Sequence, residues 1–144
     1  MLSGYFAIPN LVATYAERID LGDFEGVAEL FTHATITVEE NDIVVNGRDE
    51  ALAMYAQWTR RYEDNGTPHT RHVTTNLILD VDDDAGTGTC RSYFTVLQRT
   101  DELPFQAIIG GRYHDRFERV DGEWQWRERT VLSDLRGNTT YHTH

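Results

Sequence analysis

Histidine, which ordinarily titrates near pH 6.5, is the side chain best suited to moving protons at neutral pH, and this chain has six. His69 and His72 lie close together and His142 and His144 end the chain, so metal binding has to be weighed first. No metal site is expected. Strand residues three apart point to opposite faces, and no Cys or Glu at zinc-like spacing accompanies these histidines. The two terminal histidines read as a frayed tail. The single cysteine, Cys90, lies in an alternating run, cannot form an internal disulfide, and reads as a small buried hydrophobe rather than a nucleophile. All thirteen basic residues are arginine. Without lysine there is no Schiff-base aldolase, no internal pyridoxal-phosphate linkage and no P-loop lysine. The glycine pairs also lack dinucleotide-fingerprint spacing, and no cofactor is expected. Acid–base chemistry on histidine and carboxylate remains.

The elements that must position such groups are legible in the periodicity. Ile8, Leu11, Val12, Tyr15, Ala16 and Ile19 recur at three and four, the stripe of an amphipathic helix, with Asp20 just after it. Asp23 is a candidate amino-terminal cap for a second short helix through Phe31. Ala34–Val38 and Ile43–Val45 read as a short hairpin, and Gly47 to about Tyr62 as a third helix carrying Leu52, Met54, Tyr55 and Trp58. From Thr70 onward the pattern is strands: Thr70–Val81, an acidic turn, Gly88–Arg99, then a long hairpin closed by Asp121-Gly122. The hairpin strands exceed the usual five or six residues by far, and Gly110-Gly111 is where a bend is expected. Helices followed by a meander predict one α+β domain over residues 1–144. Alternation places Trp124 and Trp126 on one strand face and Arg127 and Arg129 on the other. If Arg129 faces inward, the tryptophans pack elsewhere, as in a subunit interface, which suits a homodimer or homotrimer.

The formal net charge of −11 argues against nucleic acid or an anionic membrane surface as partner. There is no bilayer-length apolar run, and the amino terminus lacks the pattern of a signal peptide, so a cytoplasmic protein is expected.

Three helices, a short hairpin and four long strands ending in Gly110-Gly111-Arg112-Tyr113-His114-Asp115-Arg116-Phe117-Glu118-Arg119-Val120-Asp121-Gly122-Glu123-Trp124 resemble the SnoaL-like branch of the NTF2-like superfamily. Tyr15, Asp20 and Ala28-x-Leu30-Phe31 extend the resemblance over nearly the whole chain. It implies an α+β cone: a strongly curved sheet on three amino-terminal helices around a cavity. That scaffold hosts dehydratases, dehydrochlorinases, isomerases, polyketide cyclases, dioxygenase small subunits and inert members, so fold alone does not settle function. Asp20 and His72 match the Asp-His dyad of hexachlorocyclohexane dehydrochlorinase, scytalone dehydratase and bile-acid dehydratase. Arg129 falls where the dehydrochlorinase pattern has an active-site arginine, and Tyr15 resembles a bile-acid dehydratase tyrosine.

On that resemblance His72 is the expected base, Asp20 its orienting carboxylate, Arg129 the holder of a departing or enolate oxygen, and Tyr15 an acid or hydrogen-bond donor. Asn76, on the strand face expected for His72 and Thr74, and Tyr55, Trp58 and Tyr113 are the expected substrate-binding residues. Tyr5, Phe94, Phe105, Trp124 and Trp126 are further candidates for an aromatic wall. The expected activity is a cofactor-independent lyase, a dehydratase or related elimination, on a small apolar, cyclic or steroid-like molecule. The alternatives are an isomerase or polyketide-cyclase-like enzyme, and a non-catalytic ligand-binding or assembly subunit.

Overall fold

The computed structural model describes residues 1–144. Helix α1 spans Gly4–Asp20, α2 Phe24–Leu30, and α3 Gly47–Trp58; strands run β1 Thr35–Val38, β2 Ile43–Asn46, β3 Thr70–Asp82, β4 Thr87–Gln98, β5 Gln106–Val120 and β6 Glu123–Arg136. The six strands form one mixed sheet in the order β2-β1-β6-β5-β4-β3, with β1 parallel to β6 and every other pair antiparallel. This is the expected α+β, NTF2-like arrangement. No helix is long and apolar enough to cross a membrane.

α1 buries Ile8, Val12, Tyr15 and Ile19 against the sheet. Ser3 caps its first turn by accepting from the Tyr5 amide, and the Asp83 carboxylate of the β3–β4 turn accepts from both the Ser3 hydroxyl and the Gly4 amide. That joins the start of the helix to one end of the sheet. Its other end reverses sharply, with the Asp23 amide donating to the Arg18 carbonyl at 3.0 Å, so Asp20 occupies the last turn. Asp23 then caps α2 through the Gly26 amide at 2.9 Å.

The long strands bend by bulges. Two residues, Asn76 and Leu77, oppose one between the Thr75–Tyr93 and Ile78–Arg91 pairs of β3 and β4. On β5 the register shifts at Gly111, where an added Cβ would stand 2.1 Å from the Leu132 carbonyl oxygen and 2.7 Å from the Phe94 ring. Only glycine allows that approach. The β5–β6 turn, Asp121-Gly122, takes φ values of 51° and 83°, the left-handed pair of a tight hairpin turn.

A third bulge overturns an expectation. Arg116 pairs with Glu128 while Phe117 pairs with Trp126, leaving Arg127 as the extra residue. A single inserted residue reverses strand parity, and Trp124, Trp126 and Arg129 therefore all face the core. The tryptophans pack inside one chain: Trp126 stacks against Phe31 and Phe117, each with ring centroids 4.9 Å away. No subunit interface is needed to bury them.

Two boundaries also differ. β6 continues to Arg136, past the alternating run Trp124–Val131 that the sequence offers as the last strand. α3 stops at Trp58, four residues short of Tyr62: Thr59 is extended (φ −107°, ψ 124°), and the Arg60 amide bonds the His142 carbonyl instead of its own helix. The carboxy-terminal tail thus competes for the end of α3.

Candidate active site

Asp20 and His72 arrive from different elements, the last turn of α1 and the third residue of β3, and meet as a hydrogen-bonded pair. Asp20 Oδ1 lies 2.6 Å from His72 Nδ1, and Oδ2 accepts from the His72 backbone amide at 2.7 Å. The Thr70 hydroxyl donates to Oδ1 at 2.8 Å. The two side chains are only 12% and 7% exposed. A carboxylate can only accept, so Nδ1 carries a proton, and in the neutral ring it is Nε2 that keeps the lone pair. The bond to the backbone amide of the same residue fixes ring and main chain together, which limits the imidazole to one orientation.

His72 stands in the wall between two spaces. Outside, over the end of α1 and the loop before β3, lies an open polar depression of about 800 Å³ that Asp20, Asp64, His69 and Arg71 border. Inside the cone is a cavity of about 220 Å³, lined by nineteen residues of which eleven are apolar or aromatic, and Asp20 is not one of them. Asp20 therefore stands behind His72 as seen from the cavity. The inner space is the better place for proton transfer, because apolar walls keep water from competing for the base. Glu40 and Arg136, paired at 3.6 Å, stand at its rim.

Tyr15, Tyr55, Trp58 and Tyr113 all line this cavity, as does Phe94. The Tyr15 ring meets His72 edge-on at 6.1 Å and Tyr113 at 6.1 Å, and lies 6.1 Å from Tyr55. Burial raises all three phenols above their ordinary range, Tyr55 and Tyr113 well above it. At Tyr15 the rise is partly offset by the Arg129 charge and by the neighbouring Tyr55 and Tyr113 hydroxyls. The three hydroxyls are thus protonated donors at neutral pH, with Tyr15 the most acidic.

Arg129 is placed otherwise than expected. It does not reach the cavity: its guanidinium is wholly buried, held by Asp115 through Nε at 2.8 Å and Nη2 at 3.0 Å. It lies 3.6 Å from the Tyr113 ring centroid and 4.5 Å from that of Tyr15. The bulge at Arg127 turned it inward, and the tyrosines then cover it. Burial works against its charge, but Asp115 outweighs that and the guanidinium is held even more firmly protonated. Lying behind the tyrosines, it tunes them, and its Nη1 has no partner in the protein.

Asn76 is also displaced. The β3 bulge gives it φ +58° and turns it onto the outer sheet face beside Arg91, Tyr93 and Arg112, away from His72. Of the wider aromatic set, Tyr5 and Phe105 are exposed, and Trp124 and Trp126 belong to the core. No three His, Cys, Asp or Glu side chains converge in a way that would hold a metal ion.

The expectation of a frayed tail fails for one lining residue. His142 is not in a frayed end: it is 8% exposed and lines the inner cavity with His72. The Tyr141 carbonyl accepts from Gln98 Nε2 at 3.0 Å and from the Tyr62 hydroxyl, and the His142 carbonyl accepts from the Arg60 amide at 2.9 Å. A tail without periodicity carries little signal; Tyr141 beside a histidine in a polar stretch is all there is.

Solved structures share this fold. Rv3472 from Mycobacterium tuberculosis, described as of unknown function, is 27% identical over 90% of this chain and 71% of its own, with a TM-score of 0.73. An NTF2-like protein with a cystatin-like fold from Novosphingobium aromaticivorans is 19% identical over 94% and 84%, with a TM-score of 0.72. ActVI-ORFA from Streptomyces coelicolor is 22% identical over 90% and 96%, at 0.71. The last two likenesses show the fold alone. No curated protein matches the chain. The SnoaL-like domain model matches residues 1–130, ending before the tail that bears His142. With a match of that extent, on an NTF2-like cone, the chain belongs to the SnoaL-like domain family.

Proposed function

We propose that this protein is a cofactor-independent lyase of the dehydratase type, acting on a compact, largely apolar ring compound that carries a hydroxyl group β to a carbonyl. The single observation that carries the reading is the Asp20–His72 pair, 2.6 Å long, set in the wall of an apolar-lined cavity. His72 Nε2 takes the proton α to the carbonyl, and the electron pair moves toward the carbonyl oxygen. The enolate then expels the β-hydroxyl, forming the carbon–carbon double bond. The imidazolium returns its proton to the departing oxygen, which leaves as water. Asp20 holds the ring in the Nδ1–H tautomer and compensates its transient charge. Tyr15, with Tyr55 and Tyr113 beside it, donates to the oxygen on which charge develops, a task for which preorganised donors in a dry site are well suited.

The cavity volume of about 220 Å³ lies below the roughly 300–1,000 Å³ usual for drug-sized ligands, which favours one or two rings over a steroid skeleton. Isomerisation uses the same first step and differs in where His72 returns the proton. The exposed Val73, Ile78 and Tyr93 at one side of the sheet support a homodimer or homotrimer in solution. We place the enzyme in the cytoplasm, where an unpaired cysteine stays reduced.

A panel of cyclic β-hydroxy ketones, followed by the absorbance of the conjugated product, tests the activity. His72→Ala should keep the wild-type circular dichroism spectrum and lose turnover of any compound converted. Retained turnover in His72→Ala would sink the assignment.

A further inference from the structure

The elimination described above leaves one buried imidazole without a task. His142 Nδ1 is buried and has no hydrogen-bond partner in the protein. Leaving such a group unpaired costs about 1–3 kcal/mol, so its persistence calls for a reason. The segment that carries the ring is fixed: the Arg60 amide donates to the His142 carbonyl at 2.9 Å and the His142 amide to the Thr139 carbonyl at 3.1 Å, while Gln98 and Tyr62 donate to the preceding carbonyl. The early end of α3 is what frees the Arg60 amide for this clamp. His142 thus faces the same cavity as His72 but comes from a separate element, beyond β6.

Its charge state is set by the surroundings. Burial pushes the ring down to about 4, and His72 opposes a second positive charge beside it, more than Asp20 favours one. At neutral pH the ring is uncharged and carries one N–H donor and one bare nitrogen.

We propose that His142 is a second substrate-contacting residue, hydrogen-bonding an oxygen of the ligand that His72 attacks. This rests on the reading of the inner cavity as the substrate site. It narrows the ligand class to compact ring compounds with an oxygen substituent between the two histidines. His142 moves no net charge. It polarises the oxygen, as an uncharged imidazole can, and the proton ledger stays with His72.

The test uses the full chain labelled with ¹⁵N-histidine and two matched probes, phenol and toluene, which share a ring and differ in the oxygen. Long-range ¹H–¹⁵N spectra should show phenol shifting the ring nitrogens of both His72 and His142, and toluene leaving those of His142 nearly unmoved. His142→Phe keeps a ring in place to hold the tail and removes the nitrogens. It should weaken phenol binding about two- to tenfold, the range of one neutral hydrogen bond, and leave toluene binding within about twofold. His142→Gln, which carries a polar group out toward the Nε2 position, should recover part of the loss. If phenol shifts His72 but binds wild type and His142→Phe equally, His142 is no contact and the proposal falls while the cavity reading stands. If neither probe moves His72, the cavity reading itself fails and the proposal with it.

Discussion

Arg129 separates two roles that one charged residue can play near a reaction: touching the substrate, or setting the electrostatics of the groups that do. With Asp115 on one side and the rings of Tyr15, Tyr113 and Trp126 on the others, its charge bears first on them. Removing one member of a buried ion pair strands the other and costs about 3–5 kcal/mol. Arg129→Met should therefore lower the free energy of unfolding by that amount in urea titrations. Replacing both partners, Asp115→Leu with Arg129→Met, should recover most of it, since apolar side chains of similar volume need no partner. A fully stable Arg129→Met protein lacking activity would instead mean that the arginine reaches the site. At this scale the dyad is legible through the family resemblance, which points to an acid closing the first helix and a histidine opening the third strand. Arg129 was readable as important but not as buried, because nothing in Trp126-Arg127-Glu128-Arg129 marks the extra residue that turns it inward.

Strand parity is reliable only between bulges, and this sheet has several. The bulge at Ser133-Asp134 of β6 is announced by the glycine pair that faces it on β5, and the one at Arg127 by nothing, since its side chain is exposed and any polar residue serves there. The same holds for Asn76, whose left-handed backbone is compatible with asparagine but not required by its identity. The glycine pair itself divides unequally. An added Cβ at Gly110 meets only the flexible Leu135 side chain, at 3.4 Å, whereas at Gly111 it meets backbone oxygen at 2.1 Å. Gly111→Ala should accordingly cost about 1–3 kcal/mol, the usual range for overpacking. Gly110→Ala should stay within about 0.5 kcal/mol of wild type. The clash at Gly111 includes Phe94, which stacks on Tyr113 at 4.3 Å and lines the cavity. Gly111→Ala should therefore also weaken phenol binding, and an unchanged melting curve for this variant would show that the bend does not depend on the glycine.

Across the whole molecule, the fold was legible because helix and strand periods occur in separate blocks; what the termini do was not, because tail contacts have no period. Those tail contacts tie the stability of the fold to pH. The unfolded chain binds a proton at His142 near pH 6.5, the folded chain only at about 4. Between these values the unfolded state holds more protons, so stability falls with falling pH. The stabilisation of the neutral buried ring is complete above about pH 6.5, is lost progressively down to about pH 4, and amounts to something on the order of 3 kcal/mol. Asp83, whose carboxyl the Ser3 hydroxyl and Gly4 amide hold below its ordinary 3.8, loses its contribution only at still lower pH, so the two windows separate. Urea unfolding at a series of pH values from 7.5 to 4.5 should show wild type losing stability steeply over this span. His142→Phe, which has no ring nitrogen to protonate, should show a visibly flatter acid limb. Identical slopes in the two proteins would mean that the tail releases His142 before it protonates, and that the clamp at Arg60, Tyr62 and Gln98 is weaker than its hydrogen bonds imply.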